Sequence, residues 1–330
     1  MSCRVSSPLV SVVIPVYNAE NFVARCLDSV LSQSYTNVEA VCVDDGSSDG
    51  SPLILDDYAE KYPMRVRVAH QRNAGAAAAR NHGVSLANGK YVTFADNDDW
   101  LDQDFVEKLL AHAERSGAEV VCSGYRRPDA EGKVMLECVP KPGDEWGPYV
   151  AEAAWAKLYR TEFIRRNGIE FLSTNILEDL YFSLPAVELA NKVEVFEYCG
   201  YNWFWNTGSV SNTKQRTSDG LRFEETLDSL LTMMREKKIA LTPILAHYFV
   251  RLVAWFLLFT RKGDCSRRSR ENLMRYIAWL DRNIPAWRSD EFASPAHPTG
   301  DGAANRFAVY LFAKHPRVFS CALSCYGLVK

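Results

Sequence analysis

The chain has 330 residues, 47% hydrophobic and 24% charged, with 18 Gly, 14 Pro and a formal charge of −3. That composition excludes collagen-like, disordered and disulfide-scaffold classes and allows one large domain or two modest ones. Charge is uneven: residues 261–330 hold twelve Lys and Arg against six Asp and Glu, while the remainder is acidic. A basic excess confined to a tail argues against nucleic acid as a partner, and is compatible with either a solvated helix face or contact with anionic lipid.

The opening MSCRVSSPLV has no apolar h-region, which sets the expectation of a chain without an export signal. Residues 10–16 (VSVVIPV) form a β-branched run without alternation, as expected of a strand covered on both faces. Val23, Cys26, Leu27, Val30 and Leu31 then recur at helical spacing after a cap at Asn18, and residues 38–43 return to strand composition. Residues 53–62 read as helix, 66–69 as strand, 74–87 as helix and 90–95 as strand. Each is closed by Gly, Asn or Asp, and the pattern is that of an open, doubly wound α/β sheet. A helix near 103–116, a strand at 119–124 and a Pro- and Gly-rich loop at 140–148 follow. Helical segments near 151–166 and 176–190 lead to an aromatic strand and loop at 193–206, and from about 213 the chain reads as helical. The expected division is residues 1–212 as a catalytic domain and 213–330 as a helical region. The apolar run 244–259 contains His247 and Arg251 and is too short and polar for a bilayer span. Nine cysteines are an odd set, with Cys26 and Cys42 in apolar runs, and suit free thiols in a reducing cytoplasm.

In doubly wound sheets ligands bind beyond the carboxyl ends of the strands. The residues there are Pro15-Val16-Tyr17-Asn18, Asp44-Asp45-Gly46-Ser47, Asn73-Ala74-Gly75 and Asp96-Asn97-Asp98-Asp99. Asp44 and Asp45 suit donors such as a pyrimidine N3–H or ribose hydroxyls, with Tyr17 against a base, while an Asp-Gly-Ser turn with a helix cap is the alternative. Three carboxylates in four residues at Asp96, Asp98 and Asp99 are costly without a compensating cation, and hard oxygen ligands of this kind suit Mg²⁺ or Mn²⁺ with substrate phosphates. The alternative is acidic residues favouring a helix N-terminus. Neither G-x-G-x-x-G after the first strand nor G-x-x-x-x-G-K-[ST] occurs, which disfavours dinucleotide cofactors and P-loop chemistry. The six His form no H-x-x-H pair, and no G-x-S-x-G elbow marks a hydrolase.

VSVVIPVYNAE, VDDGSSDGS and QRNAGAAAARNHGVSLANGKYVTFADNDDWL, in this order, resemble the family 2 glycosyltransferases of GT-A fold, and the likeness continues more weakly through AWAKLYR and LEDLYF. The resemblance implies inverting transfer from a nucleotide sugar, most often UDP-linked, to a glycan or lipid-linked acceptor in surface polysaccharide synthesis. It places Pro15, Val16, Tyr17, Asp44 and Asp45 around the nucleoside, with Asp44 nearest the uracil, and Asn73, Gly75 and Arg80 beside the nucleotide and donor sugar. Asp96-Asn97-Asp98 becomes the metal-associated element, with Asp98 the leading ligand for Mn²⁺ or Mg²⁺ and Asp96 beside it or on the ribose or sugar. Asp99 and Trp100 become helix-start and packing positions. Glu178-Asp179 matches the catalytic acidic pair. If Leu177, Leu180, Tyr181 and Leu184 form a buried stripe, Asp179 lies nearly opposite it and is the expected base. Lys157 either orients acidic groups or covers a surface. Trp203-Phe204-Trp205-Asn206-Thr207-Gly208-Ser209 departs from the family's Arg-bearing diphosphate loop, leaving Lys214 or Arg216 as substitutes, and Trp203 and Trp205 suit either a sugar or the core. The competing readings are a sugar-nucleotide pyrophosphorylase, which wants a Gly-rich basic loop after the first strand, and a non-catalytic nucleotide- or glycan-binding protein. The expected location is the cytoplasm, at the inner face of the membrane if the basic tail meets lipid; the sequence does not address oligomeric state.

Overall fold

All seven residues of β1 (Val10–Val16) are buried, as an unalternating β-branched run requires inside a parallel sheet. The computed structural model describes residues 7–206, 217–261, 263–285, 287–289, 291–292, 294, 296–297 and 302–326. After β1 come α1 (Val23–Leu31), β2 (Val38–Asp44), α2 (Ser51–Lys61), β3 (Val66–His70), α3 (Ala76–Leu86) and β4 (Tyr91–Phe94). These are the expected elements, their ends shifted by at most two residues except at the start of α1. The strands pair in parallel in the order β3-β2-β1-β4, with Val16 opposite Asp44 and Asp44 opposite His70. Their carboxyl ends therefore share one edge, where a ligand meets strand-end loops rather than the sheet's own ladder. Asn18 does not cap α1: it lies at φ 47°, and Phe22 precedes the helix because residues 19–22 form a turn closed on the Ala19 carbonyl.

The second half departs further from the local signals. It comprises β5 (Trp100–Leu101), α4 (Phe105–Ser116), β6 (Val120–Pro128), β7 (Val134–Cys138), β8 (Lys157–Arg160), α5 (Thr161–Arg166), α6 (Glu178–Leu189) and β9 (Val193–Asn202). The local pattern predicts helix across residues 151–166, yet only α5 is helical. β8 lies between β4 and β6, antiparallel to both, and that pairing overrides the local preference. The sheet continues β4-β8-β6-β9-β5, with β7 on β6, giving nine strands among the described residues. It is thus parallel on one side and mixed on the other, the α/β architecture expected from the GT-A resemblance, followed by a helical C-terminal region.

The chain divides into two compact units, residues 1–143, 147–206 and 224–232, and residues 144–146, 207–223 and 233–330. In the first, an aromatic cluster fixes α6. Phe182 stacks on Phe171 at 4.2 Å and meets Phe94 and Tyr159 edge-on at 5.1 and 5.3 Å. Such ring pairs add to the burial of these large side chains. α3 is held equally closely: a Cβ on Gly83 would lie 2.4 Å from Val13 Cγ1, so only glycine lets that helix approach β1.

Of α7 (Phe223–Glu236), residues 224–232 belong to the first unit and the two ends to the second. The second unit also holds α8 (Pro243–Thr260), α9 (Ser266–Asn283), α10 (Ala303–Lys314) and α11 (Pro316–Tyr326). Phe223 stacks on Phe256 of α8 at 3.9 Å, and Phe312 packs against Trp287 and Phe319, both at 5.2 Å. α8 buries most of its residues, His247 among them, which explains its hydropathy as that of a core helix. Arg261, the first of the basic tail, is buried and donates to the carbonyls of Leu323 and Asp264. The described cysteines 26, 42, 122, 138, 199, 265 and 321 form no disulfides.

Candidate active site

β2 delivers Asp44 to the sheet edge as a nearly buried carboxylate. Its Oδ1 accepts the Ser47 amide at 3.0 Å, and its Oδ2 lies 2.9 Å from His70 Nδ1 at the end of β3. Burial alone would raise the Asp44 pKa, but the hydrogen bonds from His70 and Ser47 overcome it and hold the group below the usual range. Tyr17, half exposed at 50%, stands beyond the end of β1 on the same edge. Asn97 Nδ2 donates to the Pro15 carbonyl at 2.9 Å, tying the end of β1 to the loop after β4.

Asp45 turns the other way. Its Oδ1 accepts from Gln71 Nε2 and the Ala74 amide, and its Oδ2 from the Gly75 amide, each at 2.8 Å. Asp45 therefore fixes the loop containing Asn73 and Gly75. Gly75 enters α3 at φ 92°, ψ 160° with no atom near where a Cβ would stand, a conformation essentially reserved for glycine. Asn73 is exposed on this loop.

The loop after β4 separates its carboxylates. Asp96 Oδ1 accepts from Arg80 Nη2 at 2.7 Å. Asp98 Oδ2 accepts from Asn206 at 3.1 Å, and its pKa is raised, first by burial and then by Asp96. Asp99 does not start a helix, since α4 begins at Phe105. It is fully buried, accepting from Tyr201 Oη at 2.6 Å and the Phe204 amide at 2.8 Å, bonds that hold the 202–206 segment against this loop. Burial, with Asp96 and Asp98, pushes its pKa well up.

α3 and α6 meet across this edge through Arg80. One guanidinium nitrogen holds Asp96; the other, Nη1, lies 3.4 Å from Asp179 Oδ1 and 3.9 Å from Glu178 Oε1. Neither Nη1 nor Asp179 Oδ1 makes a hydrogen bond among the described residues, although both atoms are buried. The Asp179 carboxyl is pushed up to about 7, by burial foremost; Arg80 opposes this, Glu178 and Asp96 add to it, and Lys157 opposes it. Three carboxylates facing one guanidinium leave Asp179 the least satisfied of the set.

The structure corrects several expectations. α6 has no single apolar stripe: besides Leu180 and Leu184 it buries Phe182, Ser183, Pro185, Ala186 and Val187, while Tyr181 is only half-buried. Leu177 precedes the helix at φ 62°. Asp179 faces the site because Arg80 and the ring cluster orient the first turn. Lys157 neither touches the acidic pair nor covers a surface; buried in β8, its ammonium donates to the carbonyls of Ala151 and Ala153, acting on Asp179 only through its field. Trp203 and Trp205 sandwich the Arg127 guanidinium at 3.7 and 3.9 Å. Lys214 and Arg216 lie outside the described residues. Sequence reading missed Arg25, whose guanidinium lies over Trp100 and Phe204 at 4.2 and 4.4 Å and donates to the Asp98 carbonyl at 2.5 Å. It also missed Asn206 and His70; for His70 the available signal was its place at the end of the third strand.

Residues 11–162 match the family described as glycosyl transferase family 2. A putative glycosyltransferase EpsH of Bacillus subtilis (strain 168) is 32% identical over 235 residues, 67% of this chain and 68% of that protein. Among solved structures, S. aureus TarS 1–349 in complex with UDP-GlcNAc superposes with a TM-score of 0.68 at 20% identity, covering 94% of this chain and 91% of that one. The mannosyltransferase PcManGT of Pyrobaculum calidifontis, in complex with GDP-Man and Mn²⁺, gives 0.51 at 16% identity over 98% and 87%.

Proposed function

The chain belongs to glycosyl transferase family 2, and we propose accordingly that it moves a sugar from a UDP-sugar to a hydroxyl of a glycan or lipid-linked acceptor, inverting the anomeric carbon. The observation that carries this reading is the buried Asp179 Oδ1, without a hydrogen bond and 3.4 Å from Arg80 Nη1. A carboxylate pushed up to about 7 is matched to accept a proton near neutral pH. As the acceptor oxygen bonds to the anomeric carbon, its proton passes to Asp179, and the bond from that carbon to the diphosphate breaks with its electron pair leaving on UDP. Glu178 keeps Asp179 basic by repulsion, and Arg80 holds Asp96 and Asp179 in fixed relation. Asp44 accepts the pyrimidine N3–H, Tyr17 lies against the base beside Pro15 and Val16, and Asp45 shapes the Asn73–Gly75 loop that flanks the nucleotide.

The donor set fits a divalent ion. Among the described residues no three His, Cys, Asp or Glu side chains converge as a cage, but Mg²⁺ and Mn²⁺ are commonly held by one or two carboxylates and substrate phosphates. Asp98, half-enclosed and repelled by Asp96, would hold the ion with Asp96, and the bound ion would offset the charge of the diphosphate. The same reading places the protein at the cytoplasmic face of a membrane. Phe307 and Val318 are 54% and 53% exposed on the basic C-terminal helices, although Phe312 and Phe319 are buried.

Calorimetry with UDP and GDP, with Mn²⁺ and with EDTA, tests the donor and metal assignments. UDP is expected to bind more tightly than GDP, and more tightly with Mn²⁺, with Asp44→Ala and Asp98→Ala each weakening it. Preference for GDP would overturn the nucleoside assignment, and metal-independent binding unaffected by Asp98→Ala would overturn the metal assignment.

A further inference from the structure

His70 stands directly behind the proposed nucleoside-binding carboxylate of Asp44. It ends β3 in register with Asp44, and its two ring nitrogens face two different carboxylates: Nδ1 lies 2.9 Å from Asp44 Oδ2, and Nε2 lies 3.1 Å from Asp56 Oδ1 on α2. A neutral imidazole has one N–H and one lone pair, so it satisfies one of these acceptors and repels the other; only the imidazolium donates to both. Among the described residues, Asp44 from β2 and Asp56 from α2 are the charged groups acting on the ring, and both hold its pKa above the ordinary histidine value, Asp44 foremost, against burial. The three groups are graded in exposure. The Asp44 side chain is 5% exposed, that of His70 42% and that of Asp56 60%, so the ring links a buried carboxylate to a solvated one.

We infer that His70, as an imidazolium, is a positioning residue for donor binding: it pairs the Asp44 carboxylate from behind while a pyrimidine base covers that carboxylate from the front. The inference rests on the reading of Asp44 as the acceptor for the base. A docked base removes the remaining water from Asp44, and a carboxylate so covered is tolerated only when it is paired. The imidazolium supplies that pair without occupying the side of Asp44 that meets the ligand. It also adds a positive charge, besides Arg80 and Arg25, to a carboxylate-rich edge that must accept an anionic diphosphate. By linkage, if covering Asp44 strengthens its pairing with His70, UDP binding raises the His70 pKa. UDP affinity is then full below the His70 pKa of the free protein and declines as pH rises through that of the complex.

The test is UDP binding by the full chain, measured by calorimetry with Mg²⁺ between pH 6 and 8.5, and read as the ratio of wild type to variant so that ionisation of UDP itself cancels. His70→Gln keeps hydrogen-bonding capacity but never carries charge. It is expected to bind about tenfold more weakly at pH 6, the scale of losing a hydrogen bond to a charged group, with the gap closing towards pH 8.5. His70→Arg keeps a permanent cation at a part-exposed position and is expected to remove the decline at high pH. Asp56→Asn, on the exposed face of α2, is expected to shift the decline to lower pH. A direct reading is the His70 ring titration by NMR, which should move up when UDP is added. If Asp44→Asn leaves UDP affinity unchanged, the underlying assignment of Asp44 fails. If Asp44→Asn weakens binding while His70→Gln tracks wild type at every pH and the ring titration is indifferent to UDP, the inference about His70 fails on its own.

Discussion

Replacing Asp179 by Asn removes its basicity while preserving shape, and the surroundings of this carboxyl set the size of the effect. With its pKa pushed up to about 7, Asp179 is half ionised near pH 7, so kcat/KM of the wild type should fall about tenfold per pH unit on the acid side of 7. Asp179→Asn should lose that limb and lower transfer by roughly 10²- to 10⁴-fold, the scale of a lost general base, while UDP affinity stays close to wild type. Neighbours should move the limb in opposite senses. Glu178→Gln removes a repulsion and shifts it to lower pH; Arg80→Met removes an attraction and shifts it to higher pH. Stability should respond inversely. Because the folded-state pKa of Asp179 is raised, its ionisation opposes folding above pH 7, so Asp179→Asn should melt higher than wild type at pH 8, the difference fading as pH falls from 7 towards 4. The assay is initial-rate transfer across pH 5–9 together with thermal melts of the same variants. An acid limb below pH 5, or full activity in Asp179→Asn, would refute the reasoning, and exchange of roles between Glu178→Gln and Asp179→Asn would move the base by one residue. Retention of anomeric configuration in the product would exclude a single in-line displacement.

Gly83→Ala should destabilise the first unit by about 1–3 kcal/mol, as overpacking does, because its Cβ would lie 2.4 Å from Val13 Cγ1 in the sheet core; chemical denaturation measures it, and an unchanged midpoint would show that α3 can withdraw. Anionic vesicles should co-sediment the intact protein more than neutral vesicles do, and Lys314→Glu with Arg317→Glu, on the same two helices as the exposed Phe307 and Val318, should reduce the difference. Equal binding to both vesicle types, or no effect of the charge reversals, would remove lipid contact from the proposal.

Local features of this protein are legible in its sequence. The runs at 10–16 and 38–44 lack alternation because both faces are covered, and that pattern is written in consecutive residues. The strand-end clusters Asp44-Asp45 and Asp96-Asn97-Asp98 are legible for the same reason, since parallel strands must present their carboxyl ends together. Short elements held by distant partners are not. β8 reads as helix and becomes strand only between β4 and β6, and β5 is two residues defined by pairing with β9. The resemblance ranks Asp44 over Asp45 and Asp98 over Asp99, but what holds each carboxylate is not written in the letters: Asp44 meets His70 while Asp45 builds a loop, and Asp98 receives Asn206 while Asp99 is sealed under Tyr201. It takes the folded chain to bring Arg80 to Asp179 and to strip the water that would otherwise keep that carboxyl acidic, because desolvation and charge act through space and are blind to position along the chain.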